Sequence, residues 1–345
     1  MDHSHRIEGS FVCGMIGRFG LTMKTVITLL FLSFINAQIA LPTFQAVHKP
    51  HSTTSSGTLT FTNCDETGKD GPSQSECNSE YSGTSLDGLV TVTSGIQSWT
   101  VTATATHTIE AYGAEGGGTY GGKGAKMSAE FSLTQGDVIL ILVGQQGSTS
   151  NPMSSGGGGT FVVKQTGSTY TLTTHSVYVE PLIIAGGGGG ASHSTSTNQN
   201  GTTETSGQTG YGGWRSGKTG GSSGNGGNGT QGNGGGGGGG GFSGNGTGGY
   251  SDGKSFLNGG TGGVRTSGSA PNIDGSFGGG GGARNNSGSF FGGGAGGGYS
   301  GGGGACGTSG TIERAGGGGS YSSSTTNTSH AAGNRSGHGQ VIITW

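Results

Sequence analysis

The feature that most constrains this chain is a glycine-rich stretch at residues 181–319, which opens on Pro-Leu-Ile-Ile-Ala and passes at once into five consecutive glycines at 186–190. Further runs follow at 234–241, 278–282, 301–304 and 316–319. Ordering a glycine costs roughly 1–2 kcal/mol of backbone entropy and buries no side chain in return. Such a stretch folds when its ends are held and its backbone finds partners outside itself. Apolar, strand-like segments bound it, Leu182-Ile-Ile-Ala185 before and Val341-Ile-Ile-Thr-Trp345 after, and the sequence predicts that they share one sheet. Aromatic residues punctuate it: Trp214, Phe242, Tyr250, Phe256, Phe277, Phe290, Phe291 and Tyr299. A flexible Gly/Ser linker has no use for them. The expectation is an insertion of polyglycine II helices, three residues per turn, packed side by side and exchanging hydrogen bonds between runs. Side chains then point outward or mark turns, which suits Asn200, Asn225, Asn228, Asn233, Asn245 and Asn258 beside glycine.

The 87 glycines and 6 prolines among 345 residues follow no Gly-X-Y repeat, which excludes a collagen triple helix. With 28% hydrophobic residues, a conventional core is built from part of the chain rather than all of it. A net charge of −2 offers no basic field for nucleic acid or anionic lipid, and 9% charged residues do not support disorder by charge repulsion.

The segment from Met23 to Ala37 has a basic start, a short apolar run and small residues at its end, the layout of a secretory signal peptide. Residues 1–37 therefore read as a leader with its core at 23–37, cleaved after Ala37 or, as second choice, Ala40. Residues 1–22 are a long n-region or an unused upstream start. No other apolar stretch is long enough to cross a membrane, so the product is expected to be secreted. In that compartment Cys64, Cys77 and Cys306 remain. Cys64 and Cys77 flank a turn-rich loop with Gly68, Asp70, Gly71 and Pro72 and read as a disulfide, against the alternative of two separate thiols. Cys306 reads as a free thiol or an intermolecular link for self-association.

Residues 38–57 are an irregular lead-in. Threonine-rich alternation then predicts strands at 58–62, 89–93, 99–102 and 106–112, with Ile96, Trp99, Val101, Ile109 and Ala111 inward. Helix signals are close to absent. Further strands are expected at 126–133, 138–143, 160–164 and 181–185, with a hairpin over 169–173 and 176–179. The continuous apolar run at 138–143 implies burial on both faces or a central place in a sheet. The layout is thus a β-sandwich at 58–185, a glycine-rich insertion at 186–319, a Ser/Thr/Asn spacer at 320–336 and a final strand at 337–345 that returns to the sandwich.

Catalytic signals are decoys. Gly212-Gly-Trp-Arg-Ser-Gly217-Lys218-Thr219 satisfies the phosphate-loop pattern, but that loop needs a strand before it and a helix after it, and glycine-rich chain lies on both sides. The histidines at 48, 51, 107, 175, 193, 330 and 338 lack metal-ligand spacing, and His107 and His175 read as solvent-facing strand residues. No Ser/His/Asp set and no kinase signature is present, so neither catalysis nor a cofactor is expected. Six Asn-x-Ser/Thr sequons do carry information, at Asn200, Asn228, Asn245, Asn285, Asn327 and Asn334.

Seven ordered blocks resemble the extracellular glycine-rich domain of the anaplastic lymphoma kinase and leukocyte tyrosine kinase receptors, a run also carried by secreted relatives without kinases. They are Phe61 to Tyr81 with its two cysteines, Gly95-Ile-Gln-Ser-Trp99-Thr-Val, Ile109-Glu-Ala-Tyr112-Gly-Ala, Leu142-Val-Gly-Gln-Gln-Gly147, Gly156-Gly-Gly-Gly-Thr-Phe-Val, Pro181-Leu-Ile-Ile-Ala-Gly-Gly-Gly-Gly and Gly337-His-Gly-Gln-Val. The resemblance implies an all-β fold, an antiparallel sandwich like that of tumour necrosis factor with the glycine-rich region inserted. It also implies the Cys64–Cys77 bridge. The residues from Gly212 to Thr219 resemble a family segment with Trp and Gly-Lys-Ser/Thr, which favours packing over nucleotide binding. The growth-factor-like module, membrane span and kinase of the receptors have no counterpart in this sequence. The expected function is a secreted, non-enzymatic recognition module for an extracellular protein or glycan ligand. The alternatives are a structural or adhesive surface-matrix protein and an incomplete receptor ectodomain.

Overall fold

The computed structural model describes residues 56–150, 153–167, 178–192, 194–213, 217–232, 234–264, 272–286, 290–308 and 313–345. The leader, most of the lead-in and, of the hairpin expected over 169–173 and 176–179, all residues before Tyr178 lie outside the described residues.

The chain starts with β1 (Thr58–Phe61), then a short helix α1 (Gln74–Tyr81), then β2 (Val90–Thr93), β3 (Ile96–Thr100), β4 (Ala105–Tyr112), β5 (Gly124–Leu133) and β6 (Val138–Leu142). Two very short strands follow, β7 (Thr149–Ser150) and β8 (Met153–Ser154), then β9 (Thr160–Gln165) and β10 (Val179–Ala185). The glycine-rich region holds β11 (Tyr211–Gly212), β12 (Asn272–Ile273), β13 (Ala283–Asn286), β14 (Phe290–Gly293), β15 (Ala305–Thr308) and β16 (Glu313–Arg314). After it come β17 (Tyr321–Ser322), β18 (Ala331–Arg335) and β19 (Gln340–Thr344).

These strands make two main antiparallel sheets, β1-β19-β4-β5-β18 and β17-β10-β9-β6-β3-β2. One apolar core lies between them: Leu59, Phe61, Ile109, Ala129, Val341 and Ile343 from the first sheet meet Trp99, Ile139, Ile141, Val162 and Ile183 from the second. The five residues expected to face inward, Ile96, Trp99, Val101, Ile109 and Ala111, are all buried. The fold is all-β, as the threonine alternation implied.

Period-two geometry sends neighbouring residues of a strand to opposite faces, so an unbroken apolar strand must be covered twice. In β6, Ile139 and Ile141 enter the core between the sheets while Leu140 and Leu142 point the other way. Phe161 and Val163 of β9 and Ile184 of β10 join them on that outer face. What covers it is the glycine-rich region, which lays Phe256 and Phe277, both fully buried, onto the sheet. The expectation that side chains of this region point outward is therefore corrected at these two residues. Burying each phenyl ring contributes about 1.5–3 kcal/mol, and that fastening is what the glycine runs cannot supply.

The glycine runs at 186–190, 234–241, 278–282, 301–304 and 316–319 are buried throughout. Their backbone groups bond to other runs in a regular order. Along one run the N–H of Gly236 donates to the Ala305 carbonyl and that of Gly239 to Gly302, while Gly237 donates to Gly282 and Gly240 to Gly279. Every third residue thus returns to the same neighbour, running antiparallel. Along 294–299 the period is the same but parallel: Gly294 pairs with Ser154 and Gly297 with Gly157, Ala295 with Gly237 and Gly298 with Gly240, Gly296 with Gly316 and Tyr299 with Gly319. The array also recruits Gly156 and Gly157, which donate to Gly281 and Gly188 from the connection between β8 and β9.

Three further expectations are corrected. The Cys64–Cys77 segment is not wholly loop, since α1 is closed by a capping box in which the Ser73 hydroxyl accepts the Glu76 N–H and the Glu76 carboxylate accepts the Ser73 N–H. The spacer at 320–336 carries β17 and β18, and β18 is an edge strand of the first sheet. The strands bounding the glycine region do not share a sheet. β19 lies between β1 and β4, whereas β10 lies between β17 and β9, so the two strands sit in opposite sheets.

Candidate functional surface

The disulfide lobe is where the elements converge. Cys64 and Cys77 are joined, with Cα atoms 4.9 Å apart. The bridge ties the end of β1 to α1, and α1 is seated by Tyr81. The Tyr81 hydroxyl donates to Gln97 Oε1 (2.7 Å) and accepts the Thr62 N–H (3.0 Å), and Gln97 Nε2 donates to the Thr62 carbonyl (2.7 Å). Buried polar groups are tolerated where each is answered, as in this closed triangle. Burial pushes the Tyr81 phenol above its ordinary range, so it stays a neutral donor.

The same lobe clasps the glycine-rich region. The carbonyls of Gly68 and Lys69 accept from Phe277 N (2.7 Å) and Gly262 N (2.8 Å) of that region, and the Asp70 carbonyl accepts from Gln145 Nε2 (3.0 Å), just beyond β6. Gly71 and Gly95 press against the Phe277 ring so closely that a Cβ on Gly71 would stand 2.5 Å from its Cζ. A cleft of about 470 Å³ opens at this junction, lined among others by Glu66, Asp70, Ser73, Glu76, Ser94 and Thr261. Burial and the neighbouring Glu76 raise the Glu66 carboxyl above the usual range, while the Ser73 backbone and hydroxyl hold Glu76 below it. The cleft thus gathers three carboxylates, of which Asp70 is ion-paired with Lys69.

A second cleft of about 450 Å³ runs beside β5 and β10 and is lined among others by Glu130, Leu133, Lys164, Glu180, Leu182 and Ser324. Lys164 is paired there with Asp137 at 2.7 Å, which holds the Asp137 carboxyl below its ordinary range against its burial.

None of the other sequence candidates gathers into a catalytic set. No group of three or more His, Cys, Asp or Glu able to hold a metal is found among the described residues. His107 is buried rather than solvent-facing, packed 6.2 Å from Trp99 and 5.4 Å from Trp345, and burial lowers its imidazole below the usual range. His175 lies outside the described residues. In the phosphate-loop-like segment Trp214, Arg215 and Ser216 lie outside them too. The Lys218 N–H is already given to Gly304 (3.2 Å), and its carbonyl accepts from Gly210, so the backbone there is committed to the array. Cys306 is fully buried in β15, so its sulfur is not on a surface where a second chain could reach it.

The sequons divide by environment. Asn200 Oδ1 accepts the Lys123 N–H (2.9 Å), Asn228 Nδ2 donates to Thr219 Oγ1 (2.8 Å), and Asn245 Oδ1 accepts from Ser255 N (2.9 Å) and Asn258 Nδ2 (3.1 Å). Asn327 stands at a turn with φ 47°, and Asn334 lies in β18; both are exposed. The Asn285 side chain lies outside the described residues. The capping-box spacing Ser73-x-x-Glu76 was the signal that could have disclosed α1.

No family model matches the chain. An alignment over 114 positions, covering 29% of the chain and 12% of the leukocyte tyrosine kinase receptor of Mus musculus, is 38% identical. The match supports a relationship to that receptor family over part of the chain. No helix among the described residues is long and apolar enough to cross a membrane.

Proposed function

We propose that this protein is a secreted, non-enzymatic recognition module of the receptor-ectodomain type, binding an extracellular protein or glycan ligand. The observation that carries this reading is the construction of the glycine-rich region. Its runs are buried, bonded to one another and clasped to the sandwich by the disulfide lobe, which makes a stiff scaffold with side chains at its perimeter. The partial similarity to a receptor tyrosine kinase supports it, as does the acidic cleft at the junction. The three-residue bonding period supports polyglycine II geometry for the runs. First and last strands side by side in one of two facing sheets support a sandwich like that of tumour necrosis factor.

Recombinant full-length chain, purified from culture medium, tests the reading by saturable binding to immobilised components of extracellular fluid. A monodisperse chain with a saturable partner is expected. An insoluble, self-associating product without one would favour a structural or adhesive matrix role. Genomic sequence beyond the Trp345 codon tests the receptor-fragment alternative, which an in-frame membrane span and kinase would establish.

A further inference from the structure

We infer that Asn327 and Asn334 carry N-linked glycans in the folded protein and that Asn200, Asn228 and Asn245 do not, although all five satisfy the same sequon. The inference rests on the secreted reading above. Transfer joins the side-chain Nδ2 to C1 of an oligosaccharide, with loss of one amide proton and departure of a lipid diphosphate carrier. The product places a bulky polar chain on that nitrogen, so the nitrogen must face solvent once the protein has folded.

At Asn200 that condition fails on geometry. Nδ2 lies 2.4 Å from where a Cβ on Gly333 would stand, so the amide abuts the backbone of β18. Oδ1 is bound to the Lys123 N–H, which prevents the amide from turning over. At Asn228, Nδ2 donates to Thr219 Oγ1 and Oδ1 accepts from Thr247 Oγ1 (3.0 Å), while the hydroxyl-bearing Thr230 of the same sequon is buried. At Asn245, the half-buried side chain is fixed against the turn at 255–258, where Ser255 N and Asn258 Nδ2 both donate to its Oδ1 and hold the amide from rotating out. These three side chains serve as internal ties, Asn200 to Lys123, Asn228 to Thr219 and Thr247, and Asn245 to Ser255 and Asn258.

Asn327 and Asn334 are different in each respect. Both are exposed, as are Ser329 and Ser336 at the third positions of their sequons, and no hydrogen bond to either side chain is found among the described residues. Both stand along the β18 side of the first sheet. The carbonyl of Thr326, next to Asn327, accepts from Glu130 N of β5, and Asn334 lies within β18 itself. An edge strand offers unpaired N–H and C=O groups to any other chain, and hydrated glycans beside it block that pairing. The two sequons thus sit where the fold has an open edge to protect.

The test uses the full chain expressed behind a heterologous secretion signal, so that the glycosylation machinery meets it whatever its own leader does. Secreted protein is treated with peptide N-glycosidase in heavy-oxygen water and mapped by peptide mass spectrometry. Label is expected at Asn327 and at Asn334 in most molecules and at none of Asn200, Asn228 and Asn245. Label at any of those three in the secreted chain, or its absence at either Asn327 or Asn334, overturns the inference. Retention of the chain inside cells under its own leader, measured in parallel, would instead count against the secreted reading.

Discussion

Single residues show why this chain needs so much glycine. A Cβ on Gly239 would stand far inside van der Waals contact distance of the Gly296 carbonyl oxygen, a backbone atom of a neighbouring segment. Gly239→Ala is therefore expected to abolish folding or cost several kcal/mol, on the order of an overpacked core. Gly136, with φ +94° in a turn and nothing within 4 Å of its would-be Cβ, is the control. Gly136→Ala should cost about 1 kcal/mol for the left-handed backbone alone. Denaturant melts of the two variants decide the point, and equal costs would sink the packing argument. Glu313 supplies a second test. It is buried, neither carboxylate oxygen has a hydrogen-bond partner, and desolvation pushes its carboxyl from 4.5 to about 8. As pH rises through 4.5 the unfolded chain releases this proton while the folded chain keeps it, so stability falls from there until about 8 and then levels off. The loss is on the order of a few kcal/mol, and Glu313→Gln should flatten that part of a stability-versus-pH curve. An unchanged slope in the variant would assign the effect elsewhere.

At the scale of elements, the disulfide lobe joins two bodies of very different composition. The closed loop is short, for which a chain-entropy estimate gives about 3 kcal/mol, so Cys77→Ser is expected to lower unfolding free energy by about 2–4 kcal/mol. Because the lobe holds Phe277 through the Gly68 carbonyl, hydrogen exchange at Phe277 should accelerate in that variant more than at Ile141 of β6. Equal acceleration would mean that the bridge stabilises the chain without clasping the array. Ser73→Ala removes one half of the capping box and should cost roughly 1 kcal/mol, since the Glu76 N–H loses its acceptor. The helix itself has little intrinsic stability at eight residues, and the bridge, the cap and the Tyr81 triangle hold it.

At the scale of the whole molecule, glycine runs without side chains are ordered because each is surrounded by others. A run donates to three neighbours in rotation, so removing one neighbour uncovers bonds in all the rest. That connectivity predicts cooperative protection. Amides of Gly236, Gly237, Gly239 and Gly240 should exchange together with Gly294 to Gly298, at rates close to those of core strands β6 and β9. Exchange within seconds across these glycines would show an array that is not formed in solution. The outer face of the second sheet depends on the array in turn, because Leu140, Leu142, Phe161 and Ile184 are covered by Phe256 and Phe277. The two parts are expected to unfold in one transition.

Much of this was legible in the sequence. Alternation in Thr106 to Tyr112 placed β4, the continuous apolar run placed β6 in the middle of a sheet, and turn-forming residues between two cysteines marked a closed loop. Local rules sufficed there because strand periodicity and turn chemistry are properties of a few adjacent residues. The five glycine runs announced that backbone must pack on backbone, since nothing else in them packs. What the sequence could not disclose was partnership. Which run Gly239 bonds to, that β10 and β19 belong to different sheets, that Phe256 and Phe277 turn inward, and which sequon amides are already engaged all depend on contacts between residues far apart in the chain. A glycine carries no side chain whose size or polarity could name its neighbour, so only the tertiary structure decides it.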